Sequence, residues 1–218
     1  MASGQAEIAA ALGRLDQLGI CPGRSAALDF GCGVGRLTAA LSEYFDSVTG
    51  VDIAPSMLDM ARTLLASQPG CRVVHNARPD LRLFPAASFD LVYSSLVLQH
   101  MPRALACGYL AEFVRVTRPG GAVVIVVPDA HKPTPRGAVY ALAPPRLTGF
   151  IQQTIFRYPA PMQMTTLPAR RVRREAERCG ARLVTSDSRS GAGQHWRMKC
   201  HFIATGAPPA DSDLAGAR

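Results

Sequence analysis

The sequence reads Leu28-Asp29-Phe30-Gly31-Cys32-Gly33-Val34-Gly35-Arg36 at the point that decides the fold, where an apolar run meets an acid and then three glycines at alternate positions. Glycines have no Cβ, so they let a strand turn sharply into a helix and let a ligand lie against bare backbone. Asp52 ends the next apolar run, seventeen positions after Gly35, where a carboxylate can accept hydrogen bonds from two ribose hydroxyls. The two segments together predict a nucleoside-binding βαβ unit.

Two residues separate the cofactor classes that such a unit can bind. A dinucleotide site usually has the pattern G-x-G-x-x-G, and its third glycine allows close packing of the helix on the strand; here Arg36 stands at that position. Asp29 would put a negative charge beside a pyrophosphate, whereas it suits a ligand that carries an ammonium group. S-adenosylmethionine has an ammonium group, a sulfonium and a ribose but no phosphate. The pattern therefore favours S-adenosylmethionine over a dinucleotide.

Four motifs, in order along most of the chain, resemble those of the class I S-adenosylmethionine-dependent methyltransferases. They are Asp29-x-Gly31-x-Gly33-x-Gly35, then Val51-Asp52-Ile53-Ala54-Pro55-Ser56-Met57-Leu58, then Ser88-Phe89-Asp90-Leu91-Val92-Tyr93-Ser94 with Leu98-Gln99-His100, and finally Arg118-Pro119-Gly120-Gly121, which looks like the turn before strand five. The nearest group is that of small, single-domain enzymes that methylate metabolites, such as the quinone-methylating type. The resemblance implies an enzyme that transfers a methyl group from S-adenosylmethionine.

The fold expected is α/β, with a doubly wound, Rossmann-like, mostly parallel sheet of seven strands and an antiparallel C-terminal strand. The alternation of apolar and polar segments predicts strands at 26–30, 47–52, 73–76, 89–94, 122–127, 182–187 and 197–204. It predicts helices at 5–18, 35–44, 57–65 and 103–116, and an arginine-rich helix at 170–179 whose buried stripe is Val172, Ala176 and Cys179.

We expect one methyltransferase domain over residues 1–205 and a disordered tail over 206–218. Between about 129 and 165 many prolines interrupt a segment rich in aromatic and aliphatic residues, and a regular helix cannot run through so many prolines. We interpret this segment as a cap insertion after strand five that supplies substrate walls. The alternative is a surface subdomain that packs on itself or on a second subunit.

The resemblance assigns each part of the cofactor to particular residues. The glycine loop takes the methionine and sulfur end, with Asp29 on the ammonium, directly or through water. The ribose goes to Asp52, the adenine face to the residues that follow it, and the methyl group to the end of strand four. The full set of expected cofactor-binding residues is Asp29, Gly31, Cys32, Gly33, Gly35, Asp52, Ile53, Met57, Asn76, Ala77, Ser94 and Ser95.

Asn76 departs from the family pattern, in which an acid after strand three accepts a hydrogen bond from the adenine amino group. A carboxamide oxygen can accept the same bond. The alternative interpretation of Asn76 is a turn residue that caps the strand.

The chemistry of methyl transfer makes modest demands on side chains. It is an in-line displacement at a carbon that the sulfonium activates, so the protein must align the reactants and exclude water. An amine, thiolate, phenolate or stabilised carbanion needs no base, whereas a hydroxyl acceptor gains from one. His100 is the candidate base, with structural packing at a helix start as its alternative, and His131 is a weaker candidate. The histidines have no metal-ligand spacing, so we expect no metal.

Composition leaves other functions open. The formal net charge is +8, and the segment at 170–178 holds five arginines and two glutamates, so an RNA or protein substrate is an alternative to a small, apolar methyl acceptor. A non-catalytic module that binds S-adenosylmethionine is another alternative function.

Six scattered cysteines without a C-x-x-C pair predict reduced thiols and a cytoplasmic protein. The longest apolar run, 122–127, predicts no membrane span. The acceptor and the oligomeric state stay open.

Overall fold

A computed structural model describes residues 2–131, 164–189 and 196–206 of the chain. Seven strands form one sheet: β1 (Ala26–Phe30), β2 (Ser47–Asp52), β3 (Cys71–His75), β4 (Phe89–Ser95), β5 (Thr117–His131), β6 (Ala181–Arg189) and β7 (Trp196–Thr205). Their order is β3-β2-β1-β4-β5-β7-β6. β7 pairs antiparallel with both neighbours, and the other pairs are parallel. The expected doubly wound sheet is confirmed.

In the described residues, five helices cover the two faces of this sheet, and a 3-10 turn at Leu98–His100 follows β4. They are α1 (Ala2–Gln17), α2 (Arg36–Leu41), α3 (Pro55–Leu64), α4 (Arg103–Val116) and α5 (Ala169–Arg178). Because parallel strands run the same way, the segments that follow β1, β2, β3 and β4 meet at one edge of the sheet, where ligands bind in open α/β folds. We call this edge the carboxyl edge.

The central strands have a buried side chain on both faces, as a sheet with helices on both sides requires. Leu28 and Phe30 of β1 pack toward α4, where the Phe30 ring lies 4.5 Å from Tyr109 and 4.9 Å from Phe113, centroid to centroid. Tyr93 of β4 faces the other way, into a second cluster with α1 and α2. The two cores fix the strand register and hence the positions of the loops at the carboxyl edge.

The arginine-rich helix has the predicted buried stripe in part. Val172 and Ala176 are buried and the arginines face outward. The prediction was wrong for Cys179, which is exposed because α5 ends at Arg178 and the chain turns away at that point. Three of the arginines, Arg171, Arg174 and Arg178, lie within 4.0 Å of Glu175.

Several predicted boundaries also differ from the structure. The turn expected at Arg118-Pro119-Gly120-Gly121 lies inside β5, as a bulge between the pairs Phe89↔Thr117 and Leu91↔Ala122. Gly120 takes a positive φ of 79° there, which glycine accommodates without strain. The second helix stops at Leu41 instead of residue 44, and β3 runs from 71 to 75 instead of 73 to 76.

Two expected segments fall mainly outside the described residues. The predicted cap insertion is described only at residues 129–131 and 164–165, and the predicted tail only at Gly206. Thr165 is tied to the turn after β4, because its N–H donates to Gln99 O at 2.7 Å and its Oγ1 donates to Met101 O at 2.8 Å. Within the ranges that the structure describes, no helix combines the length and the apolar character needed to cross a membrane.

Candidate active site

The glycine loop connects β1 to α2 through a turn that hydrogen bonds to the end of β2. The N–H groups of Gly31 and Cys32 both donate to Val51 O, at 2.7 and 3.0 Å. Gly31, Gly33 and Gly35 have φ values of 76°, 53° and 85°. A Cβ on Gly31 would lie 2.2 Å from Val97 Cγ2. The loop therefore needs glycine at this position both for its backbone conformation and for the close approach of Val97.

Asp52 holds the loop and the start of the next helix together. Its Oδ2 accepts from Gly33 N at 2.9 Å, and its Oδ1 accepts from Ala54 N at 2.9 Å. A carboxylate oxygen can accept more than one hydrogen bond. The partly exposed carboxylate at the end of β2 therefore keeps acceptor capacity for a ligand.

A cavity of about 350 Å³ opens at the carboxyl edge, beside Gly31 and Asp52. This is near the lower end of the range of about 300–1,000 Å³ seen for ligand pockets. Its walls are mostly apolar, and they come from β1, β2, the loop after β3, the turn after β4 and α4. The residues that line it are Phe30, Gly31, Val51, Asp52, Ile53, Asn76, Leu96, Val97, His100, Met101, Leu105 and Tyr109.

The cavity brings together five of the residues expected from the sequence: Gly31, Asp52, Ile53, Asn76 and His100. Gly33 joins them through its hydrogen bond to Asp52. Other expected residues do not line the cavity, namely Asp29, Cys32, Gly35, Met57, Ala77, Ser94 and Ser95. Met57 and Ala77 are exposed on α3 and on the loop after β3.

The side chains of Asp29 and Cys32 lie beneath the backbone of the glycine loop. Asp29 is buried, and Thr38 Oγ1 donates to its Oδ2 at 2.7 Å. Burial raises the pKa of the Asp29 carboxyl to about 6, while the bond from Thr38 opposes that shift. Burial also raises the pKa of the Cys32 thiol. Cys32 therefore remains a protonated filler between the loop and Gly50, where an added Cβ would come within 2.9 Å of its Sγ.

The side chain of Asn76 shapes the loop after β3. Its Nδ2 donates to Asp80 O at 2.7 Å, and its Oδ1 accepts from Arg78 N at 3.0 Å. This is the arrangement of a turn-forming asparagine. Because Asn76 also lines the cavity, and a carboxamide oxygen has two lone pairs, both interpretations of this residue are compatible with the geometry.

The end of β4 combines two serines with a strained residue. Ser94 Oγ is buried and has no hydrogen-bond partner among the described residues, whereas Ser95 Oγ donates to Glu7 Oε1 at 2.8 Å. Leu96 adopts a φ of 62°, which is unusual for a residue with a branched side chain. Backbone strain of this kind clusters at ligand sites, and Leu96 lines the cavity.

His100 lies at the rim of the cavity, at the end of the 3-10 turn. Its Nε2 is 3.2 Å from Gln99 Nε2. Partial burial lowers the pKa of His100, so at neutral pH the ring is uncharged and able to take a proton. His131, the weaker candidate, ends β5. The described residues contain no cluster of histidine, cysteine and acidic side chains that could hold a metal ion.

A cluster that the sequence motifs do not predict is centred on Glu7 of α1. Tyr93 OH donates to its Oε1 at 3.1 Å, and the carboxylate pairs with Arg36 at 3.3 Å and with Arg189 at 2.9 Å. Burial opposes ionisation of Glu7, but hydrogen bonds from Arg189 and Ser95 outweigh it and lower the pKa. The available signal was an acid one helical turn before Ala11, on the apolar stripe of an alanine-rich helix.

Comparisons with known proteins agree with this geometry. Residues 28–125 match the family described as "Methyltransferase domain". Aklanonic acid methyltransferase DauC of Streptomyces sp. (strain C5) is 32% identical over 180 residues, covering 75% of this chain and 78% of that protein. Malonyl-[acyl-carrier protein] O-methyltransferase of Serratia marcescens is 39% identical over 102 residues, covering 44% of this chain and 36% of that protein.

A solved structure shows the same fold. The crystal structure of YcgJ from Bacillus subtilis matches with a TM-score of 0.65 at 14% identity, covering 90% of this chain and 98% of that one. The chain spans between about a third and about a half of the length of the first curated relatives that it matches. With its glycine loop, its strand order and these likenesses, the chain belongs to the class I S-adenosylmethionine-dependent methyltransferases. The cofactor of this family is S-adenosylmethionine, as the sequence predicted.

Proposed function

We propose that the protein transfers the methyl group of S-adenosylmethionine to a small, apolar metabolite. The observation that carries the proposal is the cavity of about 350 Å³, which joins Gly31 and Asp52 to an apolar wall from the turn after β4 and from α4. The four residues of that wall, Leu96, Val97, Met101 and Leu105, all have uncharged side chains. The DauC relative is named for a small organic acceptor, aklanonic acid, which is consistent with this class of substrate.

The proposed binding mode follows from the placement of the polar groups. Asp52 accepts hydrogen bonds from the ribose hydroxyls with the acceptor capacity that Gly33 N and Ala54 N leave free. Ile53 and Met57 would pack against one face of the adenine. Asn76 Oδ1 accepts from the adenine amino group. The sulfur would lie beside Gly31, which forms part of the cavity wall.

The cofactor supplies a methyl carbon that its sulfonium has already activated. Methyl transfer would form the acceptor–carbon bond as the carbon–sulfur bond breaks, and the electron pair of that bond would return to sulfur. The residues around the cavity align the acceptor with that bond and exclude water. A hydroxyl acceptor also has to lose its proton, and the uncharged ring of His100 at the cavity rim can accept it.

Direct binding and turnover test this proposal. We expect the protein to bind S-adenosylhomocysteine in calorimetry and not to bind NADH. We also expect it to transfer labelled methyl groups from S-adenosylmethionine to members of a panel of apolar phenols and hydroxy acids. Asp52→Asn should weaken the binding of S-adenosylhomocysteine. Asp59→Asn, which changes an exposed acid on α3, is the control for the loss of one negative charge. Binding of NADH, or failure to bind S-adenosylhomocysteine, would overturn the assignment.

Two outcomes would redirect the assignment. Cofactor binding without transfer to any acceptor would favour a non-catalytic binding module. Salt-sensitive retention of RNA that is lost when Arg170, Arg171, Arg173 and Arg174 become glutamine would favour an RNA substrate. The contacts of Arg171 and Arg174 with Glu175 support a solvated, internally paired helix instead.

A further inference from the structure

The outward side of α5 carries arginine at four of its five exposed positions. Residues 170, 173, 174, 177 and 178 are exposed, and positions i, i+3, i+4, i+7 and i+8 share one face of a helix. Four of them are arginines, which we call the arginine face: Arg170, Arg173, Arg174 and Arg178. The face is about 12 Å long, because a helix rises about 1.5 Å per residue.

The positive charge of α5 exceeds what its own acids neutralise. The helix holds five arginines and two glutamates, and one of those acids, Glu175, is shared by three guanidinium groups within 4.0 Å. The side chains of Arg174 and Arg178 are still 53% and 64% exposed in these pairs. Among the residues that the structure describes, Arg170 and Arg173 form no ion pair. The arginine face is therefore free to contact an anionic surface.

The arginine face begins at the same edge of the sheet as the cavity. α5 starts beside the end of β5, where Ala169 N donates to Asp129 Oδ1 at 3.0 Å. The neighbouring helix α4, which shares a core with α5, begins with the exposed Arg103. Arg103 stands in the sequence between Met101 and Leu105, and both of these residues line the cavity. An anionic surface that contacts the start of both helices would lie beside the cavity.

The composition of the arginine face favours a lipid bilayer over other polyanions. Protein interfaces have apolar or aromatic anchors at their centre, and proteins that bind single-stranded RNA stack its bases on aromatic side chains. The five exposed positions of α5 hold only arginine and glutamate. Anionic headgroups attract basic residues through charge alone. The choice of a bilayer also rests on the proposed function, because an apolar methyl acceptor would concentrate in lipid.

We propose that the arginine face binds the protein reversibly to the anionic headgroups of a phospholipid bilayer and so brings the cavity close to acceptors dissolved in the lipid. The contact is peripheral, since within the described residues no helix could cross a membrane. Each basic residue near an anionic bilayer strengthens binding about fivefold. The four arginines together strengthen it about a hundredfold or more, and salt weakens the attraction by screening.

Co-sedimentation with vesicles tests the proposal. One set of vesicles is phosphatidylcholine alone, and the other contains about one third phosphatidylglycerol. We expect the parent protein to bind only the anionic vesicles, and to be released as salt rises from about 50 to about 500 mM. The face variant, in which glutamine replaces the four residues of the arginine face, should bind about a hundredfold more weakly or worse.

A matched control removes the same number of charges from other parts of the surface. Glutamine replaces four exposed arginines that lie outside α5, namely Arg24, Arg62, Arg72 and Arg82. This control should lose less than about fivefold, because its charges lie away from the docked surface. Both variants should bind S-adenosylhomocysteine as the parent does, which shows that they are folded. If the face variant does not, the double variant Arg170→Gln/Arg173→Gln replaces it, with an expected loss of about tenfold or more.

Several results would refute the proposal. Equal losses in the face variant and the control would show that net charge alone attracts the bilayer, and a parent protein that ignores anionic vesicles would have no lipid-binding face. Tighter binding of an RNA duplex or of polyglutamate, lost in the face variant, would reassign the arginine face to nucleic acid or to an acidic protein. In each case the parent still binds S-adenosylhomocysteine, so the proposed function stands. A parent that does not bind S-adenosylhomocysteine contradicts the proposed function instead.

Discussion

Gly33 and Asp52 are joined by a hydrogen bond of 2.9 Å from the backbone N–H of the first to Oδ2 of the second. The bond connects the loop after β1 to the end of β2, so the two segments that define the nucleoside site form one unit. The carboxylate also accepts a hydrogen bond of 2.9 Å from Ala54 N. Asp52 consequently has its rotamer fixed before any ligand arrives, which is a form of preorganisation.

Replacing Asp52 should separate binding from loop stability. Asp52→Asn keeps one acceptor oxygen but loses the charge, so we expect the affinity for S-adenosylhomocysteine to fall about tenfold or more with a small change in melting temperature. Asp52→Ala removes the acceptors of both Gly33 N and Ala54 N and should also lower the free energy of unfolding by about 1–3 kcal/mol. Calorimetry and thermal unfolding check the two effects, and unchanged affinity in both variants would refute the ribose assignment.

The contact between Gly31 and Val97 should be measurable with a matched glycine. Gly31→Ala places a Cβ 2.2 Å from Val97 Cγ2, whereas a Cβ on Gly120, which also has a positive φ, meets nothing within 4 Å. Gly120→Ala should cost about 1–2 kcal/mol from backbone strain alone. Gly31→Ala should cost about 1–3 kcal/mol more because of overpacking, and Val97→Ala should recover part of that excess. Equal costs in denaturant unfolding would contradict the close contact.

The buried carboxyl of Asp29 should make stability depend on pH. Its pKa is raised to about 6 in the folded protein by burial, from the ordinary value near 4. A raised carboxyl pKa contributes stability that is present below pH about 4 and is lost as the pH rises through about 6. The free energy of unfolding of Asp29→Asn should therefore increase relative to the parent between pH 4 and 7, by up to about 3 kcal/mol. A constant difference across that range would contradict the burial.

The buried ring of His201 should make the stability depend on pH in the opposite direction. The ring is fully buried between β5 and β6, and Ser186 Oγ lies 2.7 Å from its Nδ1. Burial lowers its pKa to about 4, with Asp129 opposing and Lys199 adding to the shift. The unfolded chain takes up a proton first, so stability is lost as the pH falls from about 7 toward 4, by up to about 3 kcal/mol. Denaturant titrations at several pH values should show a flatter profile for His201→Gln than for the parent, and parallel profiles would disprove the assignment.

The sequence predicted well what depends on local patterns. The ends of β1, β2 and α4 match the expected residues, because hydrophobic patterning and the glycine turn act within a few positions. The cavity likewise contains Gly31 and Asp52, which the motif spacing had placed together. These features follow from short stretches of chain, so a reader of the sequence can see them.

Features that depend on distant parts of the chain were not predicted. Glu7 and Arg189 are separated by 182 positions, and nothing near either residue indicates that they meet. The bulge in β5 arises because its partner β4 imposes a register that the turn-like residues 118–121 do not reveal. Cys179 has the right helical spacing for burial, but the helix ends one residue before it. In the first two cases contacts between distant parts of the chain decide the outcome, whereas for Cys179 the end of the helix decides it.

The position of β7 between β5 and β6 has a consequence for synthesis on the ribosome. In the described sheet β6 pairs with β7, and β7 is made later. As translation proceeds at about 5–20 residues per second, β6 and the exposed edge of β5 wait without their neighbour until residues 196–205 have left the exit tunnel. The first five strands can be assembled by then, so the nascent chain would pass through a stage at which the cofactor cleft is formed while an open sheet edge is still vulnerable to aggregation.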